Sequence, residues 1–126
     1  MSKLWGKIKA FFTQEYFRSH IILWLLVFIF LANLTNWVLL KIFIKPIDFP
    51  IILHYNVYFG VDMMGNWKQV YFLPALGLIL FVFNLLLSLY FYKEKDRIAS
   101  YTLMIASLMV QLSLLVASTG VIIINY

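Results

Sequence analysis

The chain is short and strongly apolar: of its 126 residues, 64% are hydrophobic and 12% are charged. Soluble domains are roughly 45–50% apolar and about 25% charged. A soluble fold of this length could not cover so much apolar surface, so we predict a single membrane domain over residues 1–126. The net charge of +5 comes from cations at the ends of apolar segments, a placement that indicates membrane topology and argues against a nucleic acid partner. The absence of cysteine excludes disulfides, thiolate metal sites and cysteine nucleophiles.

Residues 3–18 are predicted to form a basic amphipathic helix. Apolar side chains recur there at helical spacing, with polar and basic side chains on the opposite flank. We expect this helix to lie in the lipid headgroup layer with its aromatic rings buried; a docking surface for a partner is the alternative. The apolar face comprises Leu4, Trp5, Ile8, Phe11, Phe12 and Tyr16, and the polar flank comprises Lys3, Lys7, Gln14 and Arg18.

Three apolar runs, residues 21–40, 70–92 and 98–124, are long enough to cross a bilayer, for which about 20 helical residues suffice. An outer loop, 45–69, and a short turn, 93–97, connect them. The first run is too long for the apolar segment of a cleaved signal peptide, so we expect it to remain as an anchor. The predicted fold class is an all-α membrane protein: three transmembrane helices preceded by an amphipathic interfacial helix, with an aromatic outer loop between helices 1 and 2.

The distribution of Lys and Arg predicts the orientation of the chain. Seven of these cations lie before the first span or in the turn 93–97, and three lie between the first and second spans. Short loops rich in Lys and Arg face the cytoplasm. The N-terminus and the turn should therefore be cytoplasmic, and the outer loop and Tyr126 should face the opposite side.

The polar residues within the spans are amides and hydroxyls, because no Asp, Glu, Lys, Arg or His stands in the middle of a span. Proton- and ion-coupled transporters commonly carry an ionisable group at membrane depth, so the sequence disfavours coupling by this chain alone. Counting about 1.5 Å per residue places Asn33 level with Gln111, and Asn84 level with Ser107. Matched depths permit interhelical hydrogen bonds worth about 0.6–2 kcal/mol each.

The third span carries two stripes that suit contact with neighbouring helices. One is polar and steps by three or four residues; the other consists of small residues and lies about 120° round the helix. Small residues let backbones approach closely, so we predict that the two stripes contact two neighbours, while a pore lined by the polar stripe is the alternative. The polar stripe is Ser100, Met104, Ser107, Gln111, Leu114 and Ser118; the small stripe is Ala106, Val110, Ser113, Ala117 and Gly120; the bulky lipid-facing side is Tyr101, Ile105, Leu108, Leu112 and Leu115.

The outer loop has strand-like character over residues 51–60, which are rich in β-branched and aromatic residues and end at Gly60. A strand at a membrane surface needs a partner for its backbone groups, which a hairpin, an interfacial helix or another subunit would supply. Residues 62–67 are predicted to form a turn. We expect the loop to be a cap that lies against the protein at the membrane interface, with Tyr55, Tyr58, Phe59 and Trp67 as its aromatic contacts.

His54 and Asp62 are the candidates for a metal or catalytic site in this loop. A metal or an acid–base site needs histidine and carboxylate side chains that converge. The spacing matches no ligand motif, so we favour a structural role for the pair and predict no cofactor.

The stretch LHYNVYFGVD, followed by Gly65-Asn66-Trp67 and another span, resembles a motif of small uncharacterised membrane proteins from candidate-phylum bacteria of reduced genome. The resemblance covers roughly residues 50–70 and the flanking spans. It implies a bacterial cytoplasmic membrane as the location and carries over no catalytic residue.

The leading functional hypothesis is a non-enzymatic accessory, scaffold or assembly subunit whose partners are the lipid bilayer and other membrane subunits, or further copies of itself. A small oligomeric pore or transporter is the alternative. A membrane enzyme that uses His54 and Asp62 is the third reading, for which no nucleophile and base are apparent.

Overall fold

The computed structural model describes residues 1–126 and is mostly helical, with one small sheet. A short helix and a 3-10 turn precede three long helices, and a β-hairpin with a second 3-10 turn stands between the first and second long helices. The elements are α1 (Ser2–Phe12), a 3-10 turn (Glu15–Arg18), α2 (His20–Phe43), β1 (Ile51–Asn56), β2 (Gly60–Gly65), a 3-10 turn (Trp67–Tyr71), α3 (Phe72–Lys93) and α4 (Arg97–Asn125).

The three long helices are long and apolar enough to cross a membrane, which confirms the predicted number of spans. The first extends to Phe43, three residues beyond its predicted end. The second begins its α-helical part at Phe72, because a 3-10 turn capped by Asn66 precedes it. The side chain of Asn66 accepts a hydrogen bond from the Lys68 backbone N–H at 3.0 Å, and the Asn66 backbone N–H donates one to Gln69 Oε1 at 2.8 Å.

Helix α4 is the centre of the bundle: α2 and α3 both pack along it and touch each other little. As predicted, α4 contacts two neighbours, but the prediction that the small stripe makes one of these contacts is wrong, because Ala106, Ser113 and Ala117 are exposed. Lipid offers no hydrogen-bond partner. The polar stripe, whose side chains need partners from other helices, therefore faces α2 and α3. The Ser113 hydroxyl instead donates to the Met109 carbonyl of its own helix at 2.8 Å and can face lipid.

Two apolar clusters fill the ends of the bundle. The cluster at the N-terminal end includes Tyr16, Ile22 and Met104, and the cluster at the hairpin end includes Leu40 and Val121. Since α2 and α4 contribute early residues to the first cluster and late residues to the second, they run in the same direction.

The outer loop contains a two-stranded antiparallel hairpin, so the all-α fold class is incomplete. The predicted turn at residues 62–67 is also wrong in its first four residues, because residues up to Gly65 belong to β2. Pairing with β1 satisfies the backbone groups on the facing edges of both strands, which two isolated strands could not achieve. At the tip, Gly60 has a φ of 77°, a conformation that glycine adopts without strain, and the Asn56 side chain accepts from the Tyr58 N–H at 2.8 Å.

The N-terminal segment does not continue as one helix to residue 18. Helix α1 ends at Phe12, and none of its residues is buried. The chain then turns inward and Tyr16 enters the bundle, where it is 2% exposed, whereas Trp5 and Phe12 stay on the surface. Ser19 is extended, so α1 and α2 are separate helices. The break follows from the burial of Tyr16, which a straight amphipathic helix would leave outside the bundle.

Candidate functional site

A line of polar side chains runs through the bundle between the two apolar clusters, and we call it the polar seam. Its members come from all three long helices and share burial away from lipid together with amide or hydroxyl chemistry. The fully buried members are Asn33, Asn36, Ser88, Ser100, Ser107, Gln111 and Ser118, and the partly buried Asn84 joins them through Ser107.

The centre of the seam joins the three helices through two amides. Asn33 Nδ2 donates to Gln111 Oε1 and to the Pro74 carbonyl, each at 3.0 Å. Gln111 Nε2 donates to the Gly77 carbonyl at 2.7 Å. The absence of a side chain at Gly77 leaves room for this amide, since a Cβ there would lie 2.6 Å from Gln111 Oε1 and would displace it. Trp37 Nε1 completes the centre by donating to Asn33 Oδ1 at 3.0 Å.

The N-terminal end of the seam is a hydroxyl cluster around Ser88. Ser88 Oγ donates to the Ser100 carbonyl at 2.9 Å and lies 2.8 Å from both Ser100 Oγ and Tyr16 Oη. A serine hydroxyl has one proton, so Ser100 and Tyr16 must be the donors to Ser88. Burial raises the pKa of the Tyr16 phenol, and the hydrogen bond with Ser88 offsets part of the rise. Tyr16 is therefore a neutral donor at physiological pH.

The structure brings together the residues that were placed at equal depth. Asn33 bonds Gln111, and Asn84 Nδ2 donates to Ser107 Oγ at 3.0 Å. Ser118 is buried on α4, yet its hydroxyl has no partner. None of these side chains is ionisable. The amides at the centre bond each other and the backbone of α3, so the seam connects the helices.

Sequence reasoning missed two members of the seam, Ser88 and Asn36, and also the hydrogen bond of Tyr16 to Ser88. The spacing held a signal for both members, because Ser88 follows Asn84 by four residues and Asn36 follows Asn33 by three, which places each pair on one helix face. Asn36 is 0% exposed, and neither Nδ2 nor Oδ1 has a partner.

A single amide fastens the hairpin to the bundle. Asn125 Oδ1 accepts from the Ile52 N–H at 2.9 Å, and Asn125 Nδ2 donates to the Ile52 carbonyl at 2.7 Å. The side chain thus pairs with β1 as a neighbouring strand would. Beside it, Ile51 of β1 is buried in the apolar cluster at the hairpin end.

Only part of the predicted aromatic cap lies against the protein. Trp67 packs on the hairpin-end cluster and against Tyr71, as a cap residue should. Tyr55 is half-exposed, and Tyr58 and Phe59 are 90% and 84% exposed at the hairpin tip. The base of the hairpin contacts the bundle through Ile51 and Ile52, and the tip projects away from it.

His54 and Asp62 meet across the two strands, with Nδ1 and Oδ1 2.7 Å apart. Their side chains are 63% and 40% exposed. No group of three His, Cys, Asp or Glu side chains that could hold a metal ion forms in the chain. The geometry is that of a surface hydrogen bond or ion pair, which contributes little to stability.

Three features of the molecule therefore bear on its function: the polar seam, the hairpin that Asn125 holds against the bundle, and the exposed hairpin tip. Comparisons of this chain with protein-family models, curated proteins and solved structures find no match.

Proposed function

We propose that this chain is a non-enzymatic accessory or assembly subunit of a bacterial cytoplasmic membrane, and that it binds another membrane protein through the hairpin tip. The observation that carries the proposal is the exposure of Val57, Tyr58 and Phe59, which are 84–90% exposed on a hairpin fastened at its base. Large apolar residues grouped on an exposed surface mark an interaction site, and tyrosine is a frequent anchor in such sites.

The polar seam favours a subunit over a pore. Asn33 and Gln111 are 5% and 1% exposed and bond each other and the backbone of α3. A water path would need polar groups that face an open lumen. The amide and hydroxyl groups here act as contacts between helices, which is their usual use in membrane proteins.

Site-specific photo-crosslinking tests the docking role of the tip. A photoreactive phenylalanine at position 58 should give one discrete crosslinked protein in native membranes, since Tyr58 projects from the bundle. The matched control places the same residue at Ile105, which is 51% exposed on the lipid-facing side of α4 and should give only lipid adducts. Lipid adducts alone at position 58 would contradict the proposal and make the tip a membrane anchor.

The proposed orientation places the N-terminus in the cytoplasm and the hairpin outside. It rests on the seven cations at the N-terminal end of the bundle against three at the hairpin end. Because the chain has no cysteine, a single cysteine is a clean probe. In intact cells Asp48→Cys, at an exposed position between α2 and β1 and outside the tip, should react with a membrane-impermeant maleimide, and Ser2→Cys should react only after the membrane is opened. The reverse pattern would overturn the orientation.

A further inference from the structure

Two adjoining cavities, of about 520 and 540 Å³, form a basic groove at the N-terminal end of the bundle. The groove lies between the 3-10 turn that precedes α2 and the turn that joins α3 to α4. The cavities share Glu15, Tyr92 and Arg97, and cations from both segments line them. The charged lining residues are Glu15, Arg18, Lys93, Lys95 and Arg97.

The contacts of the bundle hold this groove in shape. The hydrogen bond between Tyr16 and Ser88 fixes the 3-10 turn against α3 and α4. On the opposite wall the Arg97 guanidinium lies over the Tyr92 ring, 5.5 Å from its centroid. Lys95 has a φ of 63°, an uncommon conformation for a residue with a side chain, in the tight turn that brings these cations together.

The cations of the groove exceed the acids that could neutralise them. Arg97 lies 3.9 Å from Glu15, and this is the only ion pair of the chain apart from His54 and Asp62. Asp96 of the same turn is engaged as the N-cap of α4, where it accepts from the Ala99 N–H at 3.1 Å. Glu94 does not line the groove. Arg18, Lys93 and Lys95 are therefore left without an anionic partner.

We propose that the basic groove binds the phosphate of one anionic glycerophospholipid. Arginine and lysine are the side chains that bind phosphate oxygens, arginine through its fork of N–H donors. The groove stands where the three spans meet one membrane surface, and Tyr92 and Tyr101 in its walls are residues typical of the headgroup level. Helix α1, with exposed Leu4 and Trp5, lies at the same end of the bundle. This site does not depend on the partner protein proposed for the hairpin tip.

Native mass spectrometry of the detergent-solubilised full chain tests the site with phosphatidylglycerol and phosphatidylcholine of equal chain length. One phosphatidylglycerol should be retained in preference to phosphatidylcholine. Lys93→Gln combined with Lys95→Gln should weaken that binding about 30-fold, because it removes two direct contacts of lysine with the lipid phosphate. Neither lysine forms an ion pair, so the variant should fold.

The matched control is Lys3→Gln combined with Lys7→Gln, which removes the same charge from α1 at the same end of the bundle but outside the groove. We expect it to weaken binding by about threefold or less. Equal losses in the two variants, or equal retention of the two lipids, would overturn the proposal. Saturation by inorganic phosphate without retention of lipid would show a phosphate site and would also overturn the assignment to a lipid.

Discussion

Replacing Gln111 with leucine should lower the free energy of unfolding in detergent by about 2 kcal/mol. The change removes the bonds of Gln111 to Asn33 and Gly77, each worth about 0.6–2 kcal/mol in a membrane protein. It also leaves a buried Asn33 N–H without its acceptor, which adds to the cost. The measurement is reversible unfolding in mixed micelles, followed by tryptophan fluorescence.

Two comparisons make the Gln111 experiment specific. Ser113→Leu lies on the exposed side of the same helix and should change stability by less than about 0.5 kcal/mol. Asn33→Leu combined with Gln111→Leu should cost less than the sum of the single changes, since the two residues share one bond. If Gln111→Leu were no more destabilising than Ser113→Leu, the seam would not be what joins the helices.

Replacing Tyr16 with alanine should release the N-terminal segment from the bundle. Tyr16 belongs to the apolar cluster at the N-terminal end and bonds Ser88. Loss of a buried aromatic side chain costs about 3–5 kcal/mol, more than the few contacts of residues 13–19 can offset. Limited trypsin digestion should then cleave the micellar protein after Arg18 much faster than in the parent chain.

Tyr16→Phe and Phe12→Ala separate the two contributions of Tyr16. The phenylalanine variant keeps the packing and loses one hydrogen bond, so it should cost about 1 kcal/mol and cleavage should accelerate only modestly. Phe12 is 61% exposed and its aromatic contacts are only with Phe11 and Phe17 of the same segment, so its removal should accelerate cleavage far less than Tyr16→Ala does. Unaltered digestion of Tyr16→Ala would show that the segment is held by other contacts, and the shape of the basic groove would then need another explanation.

Helical periodicity and depth counting predict the part of the structure that depends on local geometry. An α-helix advances by a fixed rise, so residues counted to one level in neighbouring helices can meet, as Asn33 and Gln111 do. The polar stripe of α4 is likewise the buried one, because lipid cannot satisfy its side chains. The small stripe is largely exposed for the opposite reason. Its residues have no polar group that needs a partner outside the helix, so they have no need to be buried.

The remaining features depend on contacts between distant parts of the chain. Tyr16 fits the apolar periodicity of a surface helix, and its inward position depends on contacts with distant residues, the apolar cluster at the N-terminal end and Ser88, 72 residues later. Asn125 looks like a terminal polar residue until it meets β1. The projection of Tyr58 and Phe59 follows from that fastening, so their composition indicated an aromatic loop but not the direction in which it points.

The central claim is that this chain works by binding another membrane protein through its hairpin tip. Gentle detergent extraction of the tagged chain from its native membrane, followed by native mass spectrometry, tests it directly. A second membrane protein should co-purify at fixed stoichiometry, remain with Met63→Ser combined with Met64→Ser on the adjoining strand, and be lost with Tyr58→Ser combined with Phe59→Ser. A homo-oligomer that both variants leave intact, or a monomer carrying only lipid, would contradict the claim.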